Sequence, residues 1–338
     1  CANPDSLDTI SSAFVESSAA PDRTVVVRTP TRIDLGGGWT DVPPYCDEQG
    51  GFVCNIAIDR YATASVRADE TYRAGSVVAA QPAGDSLVAA ALRHANVPGV
   101  RVDLESDFPV AAGLGGSSAG SAALLGALAR WQGRDWDRAA IAESGRRIEV
   151  YEMGIAGGRQ DHYAAAFGGA LALTFTDKVR VRRLTVGAAT AAEFERRGML
   201  VYTGESRVSG STINAVMDAY RDRNARVREA LDAMKKLALD MATVLEAGDL
   251  DLLGELLSEH WLFQRSLDSA IPTERIDEIV MRAQGAGAVG CKAMGASGGG
   301  CVFVLGAADN VDAVRAVISP LGTIIPFALD RHGLADVA

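Results

Sequence analysis

Short runs of β-branched and small apolar residues dominate the first half of the chain. Residues 24–27 read Thr-Val-Val-Val, residues 52–66 alternate small with branched side chains, and residues 100–104 and 170–175 form two further apolar runs. Alternation with a period of two is typical of half-buried strands. The pattern therefore predicts four strands in this half, with a bend between the first two at the glycines 36–38.

Apolar positions spaced three and four residues apart predict long helices, most of them in the second half. The predicted helices cover residues 118–132, 136–152, 209–246, 250–267 and 273–284. Further strands are predicted at residues 200–203 and, on both sides of a glycine-rich turn, in the last part of the chain as far as Phe327. This mixture predicts an α+β fold.

Chain length predicts more than one structural unit. The 338 residues, of which 48% are apolar and 22% charged, exceed the usual size of a single domain and can form a large packed interior. We expect two lobes with a boundary near Asp177. The division is an N-terminal extension at residues 1–23, a first lobe at residues 24–177 and a second lobe at residues 178–338.

Charge and composition narrow the range of partners. A net charge of −10 and a pI near 5.0 provide no general field for polyanions, so we expect no nucleic-acid partner, and any bound phosphate needs a local site. No apolar run approaches the roughly 18 residues of a membrane span, and residues 1–23 lack the features of an export signal. The five cysteines include no C-x-x-C and are expected to be reduced. A cytoplasmic protein acting on a small molecule is the expectation, with a homo-oligomer left open.

A glycine-rich loop carries the first chemical signal. Residues 109–119 read PVAAGLGGSSA and lie between a predicted strand and the predicted helix 118–132. Unpaired backbone N–H groups and the positive end of a helix dipole meet at such a place, which favours a bound anion. A flexible turn with serine as a helix cap is the alternative.

Two common phosphate loops are excluded by comparison with this segment. A Walker A loop requires Gly-Lys-Ser/Thr, which occurs nowhere in the chain. A dinucleotide fingerprint requires a third glycine where Ser118 stands. The loop therefore belongs to neither class.

Three segments together resemble the motifs of the GHMP kinases, the superfamily of galactokinase, homoserine kinase, mevalonate kinase and phosphomevalonate kinase. Residues 29–41 (TPTRIDLGGGWTD) are similar to its first motif, residues 109–119 to its second and residues 292–300 (KAMGASGGG) to its third. The order and distances agree with the superfamily pattern from about Val25 onward. The resemblance implies a two-lobed fold, with a ribosomal S5 domain 2-like first lobe and a ferredoxin-like α/β sandwich as second lobe.

Within the superfamily, the sequence is closest to heptose-phosphate kinases and fucokinase-like enzymes. Residues 154–169 (GIAGGRQDHYAAAFGG) are similar to the heptose-kinase segment. Trp39 is more fucokinase-like, while Arg159 and Gln264 stand where lysine and another basic residue are usual. The resemblance therefore implies ATP-dependent phosphorylation of a sugar or sugar phosphate, best D-glycero-D-manno-heptose 7-phosphate at its C-1 hydroxyl.

The resemblance also implies the residues that hold ATP and Mg²⁺. Ser118 and Glu149 would ligate Mg²⁺, and Glu152, one helical turn from Glu149, is the second choice of carboxylate ligand. Asp161 would orient and deprotonate the acceptor hydroxyl, with Arg32 beside it. The triphosphate would be held by the loop residues Gly113, Leu114, Gly115, Gly116, Ser117, Ser118 and Ala119.

A further set of residues is expected to contact the acceptor. Asp41 would accept hydrogen bonds from sugar hydroxyls, and two arginines would hold a phosphate already on the sugar. Read without the family, each of these residues is an ordinary salt-bridge, cap or surface position. The full predicted acceptor set is Thr40, Asp41, Gly158, Arg159, Arg207, Gly298 and Gly299.

Other functions remain open at this point. One alternative is a kinase of a free sugar such as fucose or galactose, and another is a sensor of the same fold that binds sugar and nucleotide without turnover. A dehydrogenase is the least favoured. Trp261 is interpreted as a packed aromatic and His260 as a histidine whose hydrogen bonding is satisfied. No metal spacing surrounds His162, so no zinc site is expected.

Overall fold

The computed structural model describes residues 23–69, 86–205 and 209–337. Ten antiparallel strands in this part of the chain form two sheets. The first sheet has the order β10-β1-β2-β4-β5, with β3 paired to the far end of the long β2. Its strands are β1 (Thr24–Gly36), β2 (Gly51–Ala68), β3 (Val100–Ser106), β4 (Ala170–Phe175), β5 (Val179–Arg183) and β10 (Ala335–Asp336).

The second sheet has four strands in the order β7-β8-β6-β9. They are β6 (Gly198–Tyr202), β7 (Ala288–Ala293), β8 (Cys301–Gly306) and β9 (Thr323–Ile325). The mixture of helices with two antiparallel sheets confirms the α+β class. Among the described residues, no helix combines the length and apolar character needed to cross a membrane.

Eleven α-helices are present in the described ranges, together with one π-helical and one 3₁₀ segment. The helices are α1 (Tyr45–Gln49), α2 (Leu87–Ala95), α3 (Gly116–Trp131), α4 (Arg138–Arg147), α5 (Gln160–Phe167), α6 (Ala188–Arg197), α7 (Ser209–Arg221), α8 (Ala225–Ala247), α9 (Leu250–Ser266), α10 (Glu274–Gly285) and α11 (Val311–Ile318). The π-helical turn covers Ile148–Glu152 and the 3₁₀ turn Ser319–Leu321.

Two predicted helices differ from the observed ones for local reasons. The helix predicted at residues 209–246 is broken between α7 and α8, where Arg223 has a φ of 59° and Asn224 caps α8 by accepting the N–H of Val227. The helix predicted at residues 136–152 is α-helical only to Arg147 and then widens into the π-helical turn. Such turns are frequent at functional sites.

The predicted first strand is also longer than expected. Instead of ending at Val27, β1 continues to Gly36, so Arg32 and Asp34 lie on a strand. Residues two apart on a strand share one face, and both of these line the central cleft.

The predicted lobe boundary near Asp177 falls in the turn of the β4–β5 hairpin. Strand β5 pairs with β4, so the first sheet continues to Arg183. Strand β10 pairs with β1, so the same sheet also includes residues 335–336. We therefore propose that the chain passes from the first sheet to the second between Arg183 and Gly198.

A shared core holds the two sheets together. One buried cluster combines Ile33 and Ile56 of the first sheet with Phe303 of the second and with Leu237 and Met241 of α8. Helix α8 also packs against both β1 and β2. The first and third sequence motifs are therefore brought together at one cleft.

Candidate active site

A cleft of about 700 Å³ lies where the three sequence motifs meet. Its walls are formed by the end of β1, the glycine loop before α3, the π-helical turn, the start of α5 and the turn that follows β7. Most of the predicted site residues line it. They are Arg32, Asp41, Gly113, Leu114, Gly115, Gly116, Ser117, Ser118, Glu149, Gly158, Asp161 and Gly299.

The glycine loop forms a tight turn that leads into α3. Gly113 and Gly115 have φ values of 76° and 75°, a region that favours glycine. A Cβ on Gly113 would lie 2.8 Å from the carbonyl oxygen of Met294, and one on Gly115 would lie 3.0 Å from the Asp161 carboxyl carbon. Since Gly115 has no side chain to cap α3, the N–H groups of the first helical turn remain available to an anion.

Glu149 points from the π-helical turn to the two serines of the loop. Ser117 donates to Oε1 at 3.0 Å and Ser118 to Oε2 at 3.3 Å, while His162 Nε2 lies 3.3 Å from Oε2. Burial opposes ionisation of Glu149, but His162 and the two hydroxyl donors outweigh it and lower the pKa of this carboxyl. Two serine hydroxyls and one histidine thus surround the Glu149 carboxylate.

Asp161 lies in the first turn of α5 beside the loop. Arg32 Nε and Nη2 contact the same oxygen, Oδ1, at 2.8 and 2.7 Å, and Arg32 Nη1 donates to the carbonyl of Gly113 at 2.7 Å. The Asp161 side chain is 27% exposed whereas that of Arg32 is 3% exposed. A buried cation therefore fixes one carboxylate oxygen and leaves the other for the cleft.

Asp41 caps α5 from a distant part of the chain. Its Oδ2 accepts the N–H groups of Arg159 at 2.7 Å and Gln160 at 2.9 Å, and a side chain on Gly158 would collide with it. Burial, reinforced by the charge of Asp161, raises the pKa of Asp41 to about 6 despite these two bonds. Asp41 thus both lines the cleft and sets the start of the helix that carries Asp161.

Five predicted site residues are not placed in the cleft wall. Thr40 is buried, and its hydroxyl oxygen accepts the N–H of Phe52. Ala119 is buried within α3, and its carbonyl oxygen accepts the hydroxyl of Thr29. Arg159 contributes its N–H to Asp41, but its side chain is outside the described lining. Gly298 donates to Ile271, and Arg207 lies outside the described residues.

Sequence reasoning missed the contacts of three buried polar side chains beside the cleft, those of Asp34, His260 and Lys292. Lys292 Nζ donates to the carbonyl and to Oδ2 of Asp34, both at 2.9 Å, and His260 Nε2 accepts the N–H of Gly37 at 2.9 Å. His260 was predicted to be a histidine with a hydrogen-bond partner, but the partner was not identified. A lysine and an aspartate inside apolar segments of two motifs were the available signals, but 258 residues separate them.

Comparisons with known proteins agree with the three motifs. The family model of the GHMP kinases N terminal domain matches residues 84–169, and that of the GHMP kinases C terminal matches residues 241–320. D-glycero-alpha-D-manno-heptose 7-phosphate kinase of Campylobacter jejuni is 26% identical, over 92% of this chain and 98% of its own length. A mevalonate kinase of Pyrococcus horikoshii is 30% identical, over 70% of this chain and 68% of its own length.

A solved structure extends the likeness to the whole fold. The crystal structure of a putative sugar kinase from Campylobacter jejuni superposes with a TM-score of 0.73 at 26% identity, covering 95% of this chain and 99% of that one. The predicted two-lobed kinase fold is thereby confirmed. With both family models matched in order around one cleft, the chain belongs to the GHMP kinases and is an ATP-dependent phosphotransferase.

Proposed function

We propose that the acceptor is a sugar or sugar phosphate, with D-glycero-α-D-manno-heptose 7-phosphate, phosphorylated at its C-1 hydroxyl, as the first candidate. The observation that carries the proposal is the position of Asp161, whose carboxyl group touches the glycine loop at Gly115 and faces the same cleft. The full-length match to the Campylobacter jejuni heptose 7-phosphate kinase supports this choice of sugar.

The loop and the Glu149 cluster would hold the nucleotide and its metal. The N–H groups at the start of α3 suit the phosphates of ATP. Ser118 and Glu149 supply hydroxyl and carboxylate oxygens, the donors that Mg²⁺ prefers, and two protein ligands suffice because Mg²⁺ usually keeps several waters. Bound there, Mg²⁺ would neutralise charge on the phosphates.

The other residues would align the acceptor. Asp161 accepts the proton of the attacking hydroxyl as its oxygen bonds to the γ-phosphorus, and ADP leaves with the electrons of the broken bond. Arg32 fixes the Asp161 carboxylate through Oδ1, so that Oδ2 serves as the base. Asp41 accepts hydrogen bonds from further sugar hydroxyls.

The charge of the cleft favours a second candidate, a free sugar. Arg32 is the one arginine or lysine among the described residues that line the cleft, and Asp161 already binds it. Against it stand the carboxylates of Asp34, Asp41, Glu105, Glu149 and Asp161. A phosphate on the acceptor would need a cation from elsewhere. Of the two arginines predicted for that contact, Arg159 is outside the described lining and Arg207 lies outside the described residues.

An acceptor panel distinguishes the two candidates. ADP release is measured with ATP, Mg²⁺ and, in turn, the heptose 7-phosphate, the unphosphorylated heptose, fucose, galactose and mevalonate, and the product is located by ³¹P NMR. We expect the highest kcat/KM with the heptose 7-phosphate and a new anomeric phosphate. Faster turnover of an unphosphorylated sugar would select the second candidate, and turnover of mevalonate alone would contradict both.

A further inference from the structure

The turn that carries Asp41 is held by side chains from the second half of the chain. This turn, residues 37–41, joins β1 to α1 and contains two residues with positive φ, Gly37 at 86° and Trp39 at 81°. Within the turn, the N–H and the hydroxyl of Thr40 lie 3.0 and 2.7 Å from the carbonyl oxygen of Gly37, and the hydroxyl also accepts the N–H of Phe52 at 3.1 Å. A backbone so strained persists only where its surroundings hold it.

His260 on α9 supplies one of these holds. Its Nε2 accepts the N–H of Gly37 at 2.9 Å, and the side chain is fully buried. A ring nitrogen accepts only when it carries no proton. Burial, reinforced by the charge of Lys292, lowers the pKa of His260 to about 3, so the ring is neutral at physiological pH.

Lys292 on β7 supplies a second hold from this half of the chain, through Asp34. Its ammonium donates both to the main-chain carbonyl and to the carboxylate of Asp34, at the place where the pairing of β1 with β2 is interrupted before Gly36. The Asp34 carboxylate lies directly against Gly38, because a side chain at that glycine would collide with Oδ2. The ammonium therefore braces the turn through a single intervening residue.

Stability alone is a poor explanation for this arrangement. The free energy needed to remove two charges from water offsets most of their mutual attraction. Proteins in which a buried ion pair is replaced by apolar residues of similar volume are often as stable as the original. The pair nevertheless sits behind the turn that delivers Asp41 to the cleft. We propose that Lys292 and His260 are positioning residues which hold residues 37–41 in the geometry that binds the acceptor.

This inference rests on the proposed function, since it assigns Asp41 to the acceptor and the glycine loop to ATP. Loss of the holds would then weaken the acceptor and leave ATP unaffected. His260→Leu removes the acceptor of the Gly37 N–H. His260→Gln is the matched control, because the glutamine amide oxygen can take the place of Nε2.

Kinetics provide the first test. We expect His260→Leu to raise the KM of the sugar about tenfold, the effect of one lost hydrogen bond, with the KM of ATP within about twofold. His260→Gln should recover most of the loss. Equal rises in both KM values, an unchanged sugar KM, or no recovery by glutamine would overturn the inference.

The ion pair is tested by removing both charges together, which avoids an orphaned buried charge. Lys292→Met with Asp34→Asn should again raise the KM of the sugar selectively. A KM of the sugar equal to that of the unaltered protein would overturn the role of the pair.

Amide hydrogen exchange separates this inference from the proposed function. We expect residues 37–41 to exchange at least about tenfold faster in His260→Leu than in His260→Gln, whether or not any tested sugar is a substrate. Should the unaltered protein turn over no sugar, the proposed function fails and exchange alone decides the positioning role. Equal exchange in the two variants would overturn it.

Discussion

At the scale of the residue, the site is built from carboxylates in different surroundings. Asp161 is paired with Arg32 and open to the cleft, Glu149 is buried among hydroxyl donors, and Asp41 is buried and accepts two backbone N–H groups. Each surrounding suits the role proposed for its carboxylate, namely base, metal ligand and hydroxyl acceptor. The residue types were predictable from the motifs, whereas these surroundings depend on the fold.

Asp41 gives a prediction about pH and stability. Because its pKa rises from the usual 3.8 to about 6 on folding, the protonated form is favoured in the folded state, and this stabilisation is present below pH 4 and lost as the pH rises through 6. Asp41→Asn keeps an oxygen for the two N–H groups and removes the charge. We expect the variant to gain up to about 3 kcal/mol in the free energy of unfolding at pH 8, and little at pH 4.

Urea unfolding of the ligand-free protein at the two pH values measures this difference. The same variant should bind the sugar more weakly, since an amide replaces a carboxylate acceptor. A change in the free energy of unfolding at pH 8 that is no more favourable than the change at pH 4 would contradict the account of Asp41.

Glu149 gives a prediction about magnesium. Glu149→Gln should raise the Mg²⁺ concentration needed for half-maximal ADP release by at least about tenfold, because the variant removes the charge of the proposed metal ligand. Glu152→Gln is the control, since Glu152 lies in the same π-helical turn but pairs with His94 at 3.6 Å. Equal shifts in the two variants would remove Glu149 from the metal site.

At the scale of the element, α3 follows the glycine loop and is itself followed by a turn at Gly133. Both ends have a glycine with a left-handed backbone, Gly115 with a φ of 75° and Gly133 with a φ of 71°. Their surroundings differ. A Cβ at Gly115 would meet the Asp161 carboxyl group, whereas one at Gly133 would have no neighbour within 4 Å among the described residues.

This pair of glycines separates strain from function. Gly115→Ala and Gly133→Ala should both lose about 1 to 2 kcal/mol in the free energy of unfolding, the cost of a left-handed alanine. Only Gly115→Ala should also lose kcat, by at least about tenfold, because its methyl group displaces the proposed base. Full kcat in Gly115→Ala, measured by ADP release, would contradict the contact between loop and base.

The elements also show how far sequence patterns reach. The strand predicted at residues 170–175 has those bounds in the structure, and α9 and α10 differ from prediction by one residue, because their periodicity and caps are local. The break before α8 lies in the polar run Arg-Asp-Arg-Asn at residues 221–224, where Arg223 has a positive φ and Asn224 caps α8. It was missed because the apolar spacing resumes in the same phase at Val227, seven residues after Tyr220. Periodicity records which face is buried, and it is insensitive to such a break.

At the scale of the whole molecule, the cleft exists because distant segments share a core. The three motifs implied a common site, and residues of all three line the cleft. The Asp34–Lys292 pair joins residues 258 apart, and no local pattern could have predicted it. The same limit applies to β10, whose residues 335–336 pair with residues 27–28 of β1.

The central claim is that the glycine loop and Asp161 act on one nucleotide and one acceptor in this cleft. Its most direct test is sugar-dependent ADP release by Asp161→Asn, compared with the unaltered protein and with Asp103→Asn, which removes a carboxylate from an exposed ion pair on β3. We predict a loss of about 10² to 10⁴ in kcat for Asp161→Asn and none for the control, as expected when a general base is removed. Full turnover by Asp161→Asn would contradict the account.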